Sequence, residues 1–357
     1  MPQEPEEFPL RVFSVESEPP NDLLDEDDPA DDRWVGTLPT VEDLQQAFAV
    51  FAEGTPEISH LRALSDLDKE RLAWMREHWL DLDDQVRPAI TSLAVQAGEE
   101  HVTLDYRRFL EFAMEDPSPA VRQFAVDGFA NYVNVQSADL LLSHLTQDPS
   151  PDVRAEAAGA LSWYADGLDT TPGDIALGKR IHKVLLKIAG QPGEAHQVRA
   201  RALETASLFG RDAELMRLID EFYDEDETGL RISALFAMGQ SGDTRWLPIL
   251  TGELASPDNE TRRVAASALG FLDDPDALPD LRKLMRDADV EVRHAAILAI
   301  GNISGPASKR ILEQLADDPL EEDAEVIFEA LEMEELFSSV DEDPDGIRPD
   351  DGSSLFS

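Results

Sequence analysis

Cysteine does not occur among the 357 residues. Its absence removes disulfides, iron–sulfur clusters, thiolate zinc sites and thiol catalysis together. Lysine is scarce, with six residues against 24 arginines, and positive charge is short overall: 30 Lys and Arg face 75 Asp and Glu, for a formal net charge of -45. A field of that sign repels phosphate backbones and attracts basic partners, so nucleic acid is not an expected ligand. The start, "MPQEPEEFPL", lacks a basic region followed by an apolar run. No stretch elsewhere reaches the roughly 18 apolar residues of a membrane span. The expectation is a cytoplasmic protein with no membrane partner. At 42% hydrophobic residues the chain still has enough apolar material for a core.

Catalytic signatures are missing as well. The seven histidines are His60, His78, His101, His144, His182, His196 and His294, and no two stand at the HExxH spacing of a zinc helix. There is no GxSxG, P-loop or GxGxxG, and "LGKR" at 177–180 lacks the glycine loop a phosphate site needs. No catalytic, cofactor or metal residue is expected. One calcium-like string, "DEDPDGIRPDDG", places Asp341, Asp343, Asp345 and Gly346 at the first, third, fifth and sixth loop positions. It puts Gly352 where the bidentate glutamate belongs, so it reads as an acidic tail.

The acids are concentrated at the ends. Residues 1–35 hold 12 acidic against 2 basic side chains, and residues 332–357 hold 9 against 1. Mixed with Pro, Gly and Ser, such segments bury too little apolar area to offset the entropy of ordering. Segments 1–38 and 336–357 are therefore expected to be disordered acidic tails, flanking a cap and first repeat at 39–100 and an array at 101–335. Within the first tail, "FPLRVFSV" at 8–15 is an apolar, β-prone run able to dock on the body.

Between the tails one phrase recurs. "EDPSPAVRQFA" begins at Glu115 and "QDPSPDVRAEA" at Gln147, and weaker spellings surround Arg87, Arg199, Arg231, Arg262 and Arg293. From Arg87 through Arg122 and Arg154 to Arg293, successive arginines stand 35, 32, 45, 32, 31 and 31 residues apart. Units of this length indicate stacked supersecondary elements. After each Arg, apolar residues fall at helical spacing, as in Val121, Ala125 and Phe129, or Val292, Ala296 and Ile300. These are the inner helices; the runs "SADLLLSHL", "AELMRLIDEF", "RWLPILTGEL", "ALPDLRKLM" and "SKRILEQL" are the outer ones. Six residues before most arginines stands an acid, Asp81, Asp116, Asp148, Glu225 or Asp287, with Gly193 and Ser256 as exceptions. Acid and arginine recurring in every unit can bond between neighbours as a ladder. In the 45-residue interval a helix from about Ile175 to Ile188 lies between turn-rich stretches. Thr40 with Asp43, and Ser65 with Asp68, read as capping boxes opening the first helices. "EVIFEALEMEELF" lacks the arginine and reads as the closing cap.

The pattern D-x-x-x-x-V-R-x-x-A-x-x-x-L resembles the HEAT-repeat superfamily, in particular its short phycobilisome-lyase-type repeats, over residues 65–331. The acidic arm and "LSDLD" helix also resemble those of bacterial HEAT-repeat proteins. The resemblance implies an all-α, right-handed solenoid of antiparallel helix pairs. Among HEAT-like enzymes, deoxyhypusine hydroxylases use paired His-Glu dipeptides and epoxyqueuosine reductases use cysteine-bound clusters. Neither feature is present here.

The expected function is a non-enzymatic, monomeric scaffold that takes a basic protein segment on its concave face. The candidate contacts are the aromatics Tyr132, Trp163, Tyr164 and Phe209 with the acids Asp127, Glu156 and Glu204. A second candidate is the cationic strip Lys179, Lys183 and Lys187, spaced i, i+4, i+8 on one helix and suited to an anionic partner or one of the chain's own tails. Two alternatives stay open: a bilin-lyase-type subunit with a small-molecule pocket, implied only by the resemblance, and an acidity that reflects adaptation to salt.

Overall fold

The computed structural model describes residues 38–341 except 54–57, 102, 168–170, 304 and 318. The arm segment 8–15 and all but the first residue of the calcium-like string lie outside them. No strand occurs among the described residues. The chain opens with α1 (Val41–Ala52), α2 (Lys69–His78) and α3 (Val86–Glu100). Seven antiparallel pairs follow: α4 (Arg107–Ala113) with α5 (Pro119–Phe129), α6 (Val135–Gln147) with α7 (Pro151–Ala160), α8 (Pro172–Ala189) with α9 (His196–Ser207), α10 (Ala213–Tyr223) with α11 (Thr228–Gln240), α12 (Leu247–Glu253) with α13 (Asn259–Leu272), α14 (Leu278–Leu284) with α15 (Val290–Asn302), and α16 (Pro306–Ala316) with α17 (Ala324–Asp341). The odd-numbered helices from α3 onward form one continuous inner row in which each packs along the next, whereas the outer, even-numbered helices touch their like neighbours far less.

Local sequence explains the helix starts. Ser118–Pro119 and Ser150–Pro151 place proline at the first helical turn, where its missing N–H costs nothing. Asn134, Thr171, Asp212, Asp258 and Asp289 cap other helices through their side chains. Thr40 and Asp43 form the expected capping box. Ser65 does not. The cap of α2 is Asp68, which accepts from the amides of Glu70 and Arg71, while the Ser65 hydroxyl donates to Asp66 and accepts from the Asp105 amide. The helix expected at 175–188 runs from Pro172 to Ala189. Helix α17 continues to Asp341, into the segment assigned to the tail.

The expected apolar stripes are interior: Val121, Ala125 and Phe129, and Val292, Ala296 and Ile300, are all buried. Between inner helices the fit depends on small residues. A Cβ built at Gly239 would lie 2.6 Å from Cα of Ala268, at Gly270 2.7 Å from Cα of Ala299, and at Gly301 2.8 Å from the carbonyl of Ala330. Each glycine is eight residues past its unit's arginine. At the first junction the sizes are exchanged, with Gly128 lying under Val95.

The ladder is present and directional, since the arginine of each unit reaches the acid of the next. Arg87 Nε donates to Asp116 (3.1 Å), Arg122 takes both oxygens of Asp148 (2.8 Å each), Arg262 those of Asp287 (2.9 Å each), and Arg293 reaches Asp323 (3.1 Å). Where the acid's usual place holds Gly193 or Ser256, a neighbour substitutes: Arg154 pairs with Glu194 (2.6 Å) and Arg231 with Glu253 (2.7 Å). The Arg199 rung is loose, 3.8 Å from Glu225, and its guanidinium lies over the Phe222 ring instead. Asp81 is not a rung. It is exposed, because the helices ahead of it supply no arginine in register. The arginines also donate to carbonyls of their own turns, as Arg122 to Asp116 and Arg262 to Ser256. Each guanidinium thus fixes a local turn and a neighbour together.

Candidate interaction surfaces

The structure divides the candidate residues among three environments. Tyr164 and Phe209 are buried and belong to the core between units, not to a contact row. The Tyr164 hydroxyl donates to the Asn134 carbonyl at the start of α6, the outer helix of its own pair (3.1 Å). Half-buried Tyr132 does a similar job, its hydroxyl accepting from the Tyr106 amide (3.1 Å), and burial pushes its phenol up to about 12. Both phenols therefore stay protonated at neutral pH and tie the end of an inner helix to the start of the outer helix of its own pair. Glu204 is buried too, held by Arg201 (3.1 Å) and by the Ser233 hydroxyl (2.5 Å). These four are structural because a residue late in an inner helix faces the next unit whenever it falls on the apolar stripe.

Trp163, Asp127 and Glu156 remain at the inner surface. Trp163 is 47% exposed, and Glu156 accepts from Gln123 of the preceding helix (3.3 Å). Adjacent residues on a helix point about 100° apart, which is why Trp163 is outside while Tyr164 is inside. Phe124 (38% exposed) and Phe271 (40%) join this surface, as does Phe236, whose ring meets that of Phe271 edge-on at 6.5 Å. Phe236 stands five positions after its arginine and Phe271 nine after its own. Asp127 and Trp163 stand at those same offsets from Arg122 and Arg154, although at Trp163 the inner helix has already broken into the short turn Trp163–Asp166. The sequence reading missed Phe124, Phe236 and Phe271. The signal was available for Phe124, which falls off the stripe of Val121, Ala125 and Phe129.

Lys179, Lys183 and Lys187 lie elsewhere. All three are exposed on the outer helix α8, away from the inner row. Neighbouring cationic groups are taken up by packing: Arg180 pairs with Asp139 of α6, and His182 contacts the Ala206 carbonyl (3.0 Å) and Asp212 (3.1 Å). At the far end, Phe328 is 64% exposed on α17, and an open groove is lined by Arg310, Glu313, Gln314, Ala316 and Asp317 with Leu331. Among the described residues no cluster of His, Asp and Glu has metal-binding geometry, and no helix is long and apolar enough to cross a membrane.

An all-α stack of arginine-tied helix pairs defines a helical-repeat protein. Residues 107–177 and 247–332 match the family model of HEAT repeats, and these two segments are HEAT repeats. No curated protein matches it. Among solved structures it is similar to the complex of CpcE and CpcF of phycocyanin lyase from Nostoc sp. PCC7120, at 18% identity and TM-score 0.45, covering 71% of this chain and 90% of that one. It is also similar to human deoxyhypusine hydroxylase in complex with glycerol, at 20% identity and TM-score 0.32, covering 83% and 98%. A designed armadillo repeat protein in complex with the peptide (KR)4 matches at 18% identity and TM-score 0.35, covering 55% and 98%. These likenesses bring no activity or ligand to this chain.

Proposed function

We propose that the protein is a non-enzymatic scaffold whose inner surface holds an extended basic segment of a partner protein. The observation that carries this reading is the exposure of the aromatics Phe124 and Trp163, on or just after successive inner helices that also carry the acids Asp127 and Glu156, in a chain of net charge -45. A carboxylate next to an aromatic face receives a lysine or arginine side chain by charge and by cation–π attraction at once. Repetition of the unit sets such positions about 10 Å apart, a spacing an extended peptide meets every third residue.

The test separates this surface from general acidity. A labelled peptide of alternating Lys and Arg is titrated against the full chain and against a Phe124→Ala/Trp163→Ala variant, which keeps the same net charge. Binding that weakens with salt and falls about tenfold in the variant supports the inner surface. Equal binding by both proteins would mean that the peptide responds only to the overall field, and the proposal fails.

A further inference from the structure

We infer that the last face of the stack is covered by the chain's own residues 342–357, folded back along α17 so that Leu355 and Phe356 lie on Phe328. The repeat register identifies that face. Gly239, Gly270 and Gly301 each meet an alanine of the next inner helix, Ala268, Ala299 and Ala330. Ala268 and Ala299 stand six residues past their own arginines, so in α17 the arginine's place falls on Ala324. Four residues past the arginine, on the side that carries arginine and glycine toward the next unit, stand Leu235, Ala266 and Ile297, all buried. The same place in α17 holds Phe328, which is 64% exposed. Half-buried Leu331 lies one helical turn further on and lines the open groove against α16. Phe328 thus keeps an apolar side chain where each of the three preceding units has one covered by its successor, and among the described residues no unit follows α17.

A further repeat, or a second copy docked in the manner of a repeat, does not fit this face. Ala324 cannot supply the ladder donor, and exposed Glu332 stands at the place of the glycine that lets inner helices approach closely. The face has lost the joints of the array and kept one apolar side chain.

Residues 342–357 suit it by turn, reach and chemistry. Asp343, Pro344, Asp345 and Gly346 have the residue types of a type I turn, with Asp first, Pro second and Gly fourth, which returns the chain beside α17. Phe328 lies 13 residues before the end of α17 at Asp341, about 20 Å along the helix. The nine residues from Gly346 to Leu355 extend to about 30 Å, so the segment reaches Phe328 with slack. All five of its acids precede Gly352, and "GSSLFS" carries no charge. Arg348, its one base, follows the turn by two residues and returns past the exposed acids Glu332 and Glu335. Attachment to α17 keeps the segment at a high local concentration, so a small apolar contact suffices to hold it. Because face and segment are both acidic, salt screens repulsion between them and leaves the apolar contact intact.

The lack of cysteine makes the test direct, since introduced thiols are the only labelling sites. Spin labels are placed at Ser353→Cys and at Lys283→Cys on α14 of the full chain, and the distance distribution is recorded by pulsed electron resonance. A narrow component is expected, undiminished in 1 M salt, where the screening length shrinks to about 3 Å. Phe328→Ser, a change at an exposed position, should at least halve that component. Leu355→Ser with Phe356→Ser should do the same from the other side of the contact, and unchanged circular dichroism establishes that both variants keep their helices. A broad distribution in the parent at every salt concentration overturns the proposal. So does a narrow component that survives both variants, or one that vanishes in 1 M salt and is therefore held by charge. A dimer in sedimentation that Phe328→Ser dissociates, with the segment broad throughout, would give the face to a second copy and overturn it as well.

Discussion

Arg122 shows how much one residue carries in this fold. Its guanidinium is buried, spends two N–H groups on Asp148 and another on the Asp116 carbonyl. Removing it leaves the Asp148 carboxylate, itself buried, facing an empty space. Arg122→Ala is therefore expected to lower stability by about 3 kcal/mol in denaturant titrations, whereas Arg217→Ala, at a solvent-exposed pair with Glu214, should leave the midpoint unchanged. The ladder also has a pH signature. Hydrogen bonds from Arg262 hold the Asp287 carboxyl below the usual carboxylate range, against the opposing effect of burial. An unfolded aspartate titrates near about 3.9. Because the folded value is lower, the contribution of Asp287 is complete above that value and is lost as pH falls through the folded pKa. The stability gap between wild type and Asp287→Asn should be widest at neutral pH and shrink below about pH 4. A gap constant from pH 7 to pH 2 would contradict the assignment. At this scale the sequence was legible at Asp116, Asp148 and Asp287, where the acid kept its offset of six residues and an arginine of the preceding unit faced it. It was not legible at Glu194 and Glu253, because an acid displaced by one or three positions reaches the same guanidinium through a different turn.

Between elements, helix spacing is set by what is left out of the side chains. Alanine for glycine inside a helix ordinarily gains up to about 1 kcal/mol. At Gly270 the new methyl would meet Ala299 backbone at 2.7 Å, so Gly270→Ala is expected to cost about 1–3 kcal/mol by pushing α13 from α15. Gly252, in the outer helix α12, has nothing within 4 Å of its Cβ position, and Gly252→Ala should be neutral or stabilising. Thermal unfolding of the two variants checks both signs. The helices and their pairing could be read from arginine spacing and apolar periodicity, because stacking imposes the same pattern on every unit. The division of the aromatics could not. Whether Tyr164 or its neighbour Trp163 faces solvent depends on where the inner helix breaks into the short turn Trp163–Asp166, a detail of about 100° that periodicity does not resolve.

For the molecule as a whole, stability is the sum of units and the junctions between neighbours. The ladder then makes a specific prediction. Joining Arg262 directly to His294 removes 31 residues and leaves Arg262 where Arg293 stood, facing Asp323. Circular dichroism should show an unchanged helical content per residue and a single cooperative transition at modestly reduced temperature. Removing one residue more turns the following helix by about 100° and should abolish that transition. The head-to-tail direction of the rungs has a historical meaning as well. Every interior unit already carries both halves of its connection, a donor for the unit ahead and an acceptor for the unit behind. A duplicated gene segment would therefore arrive with its joints ready-made, and lineages could lengthen or shorten such an array by whole steps without inventing a new interface.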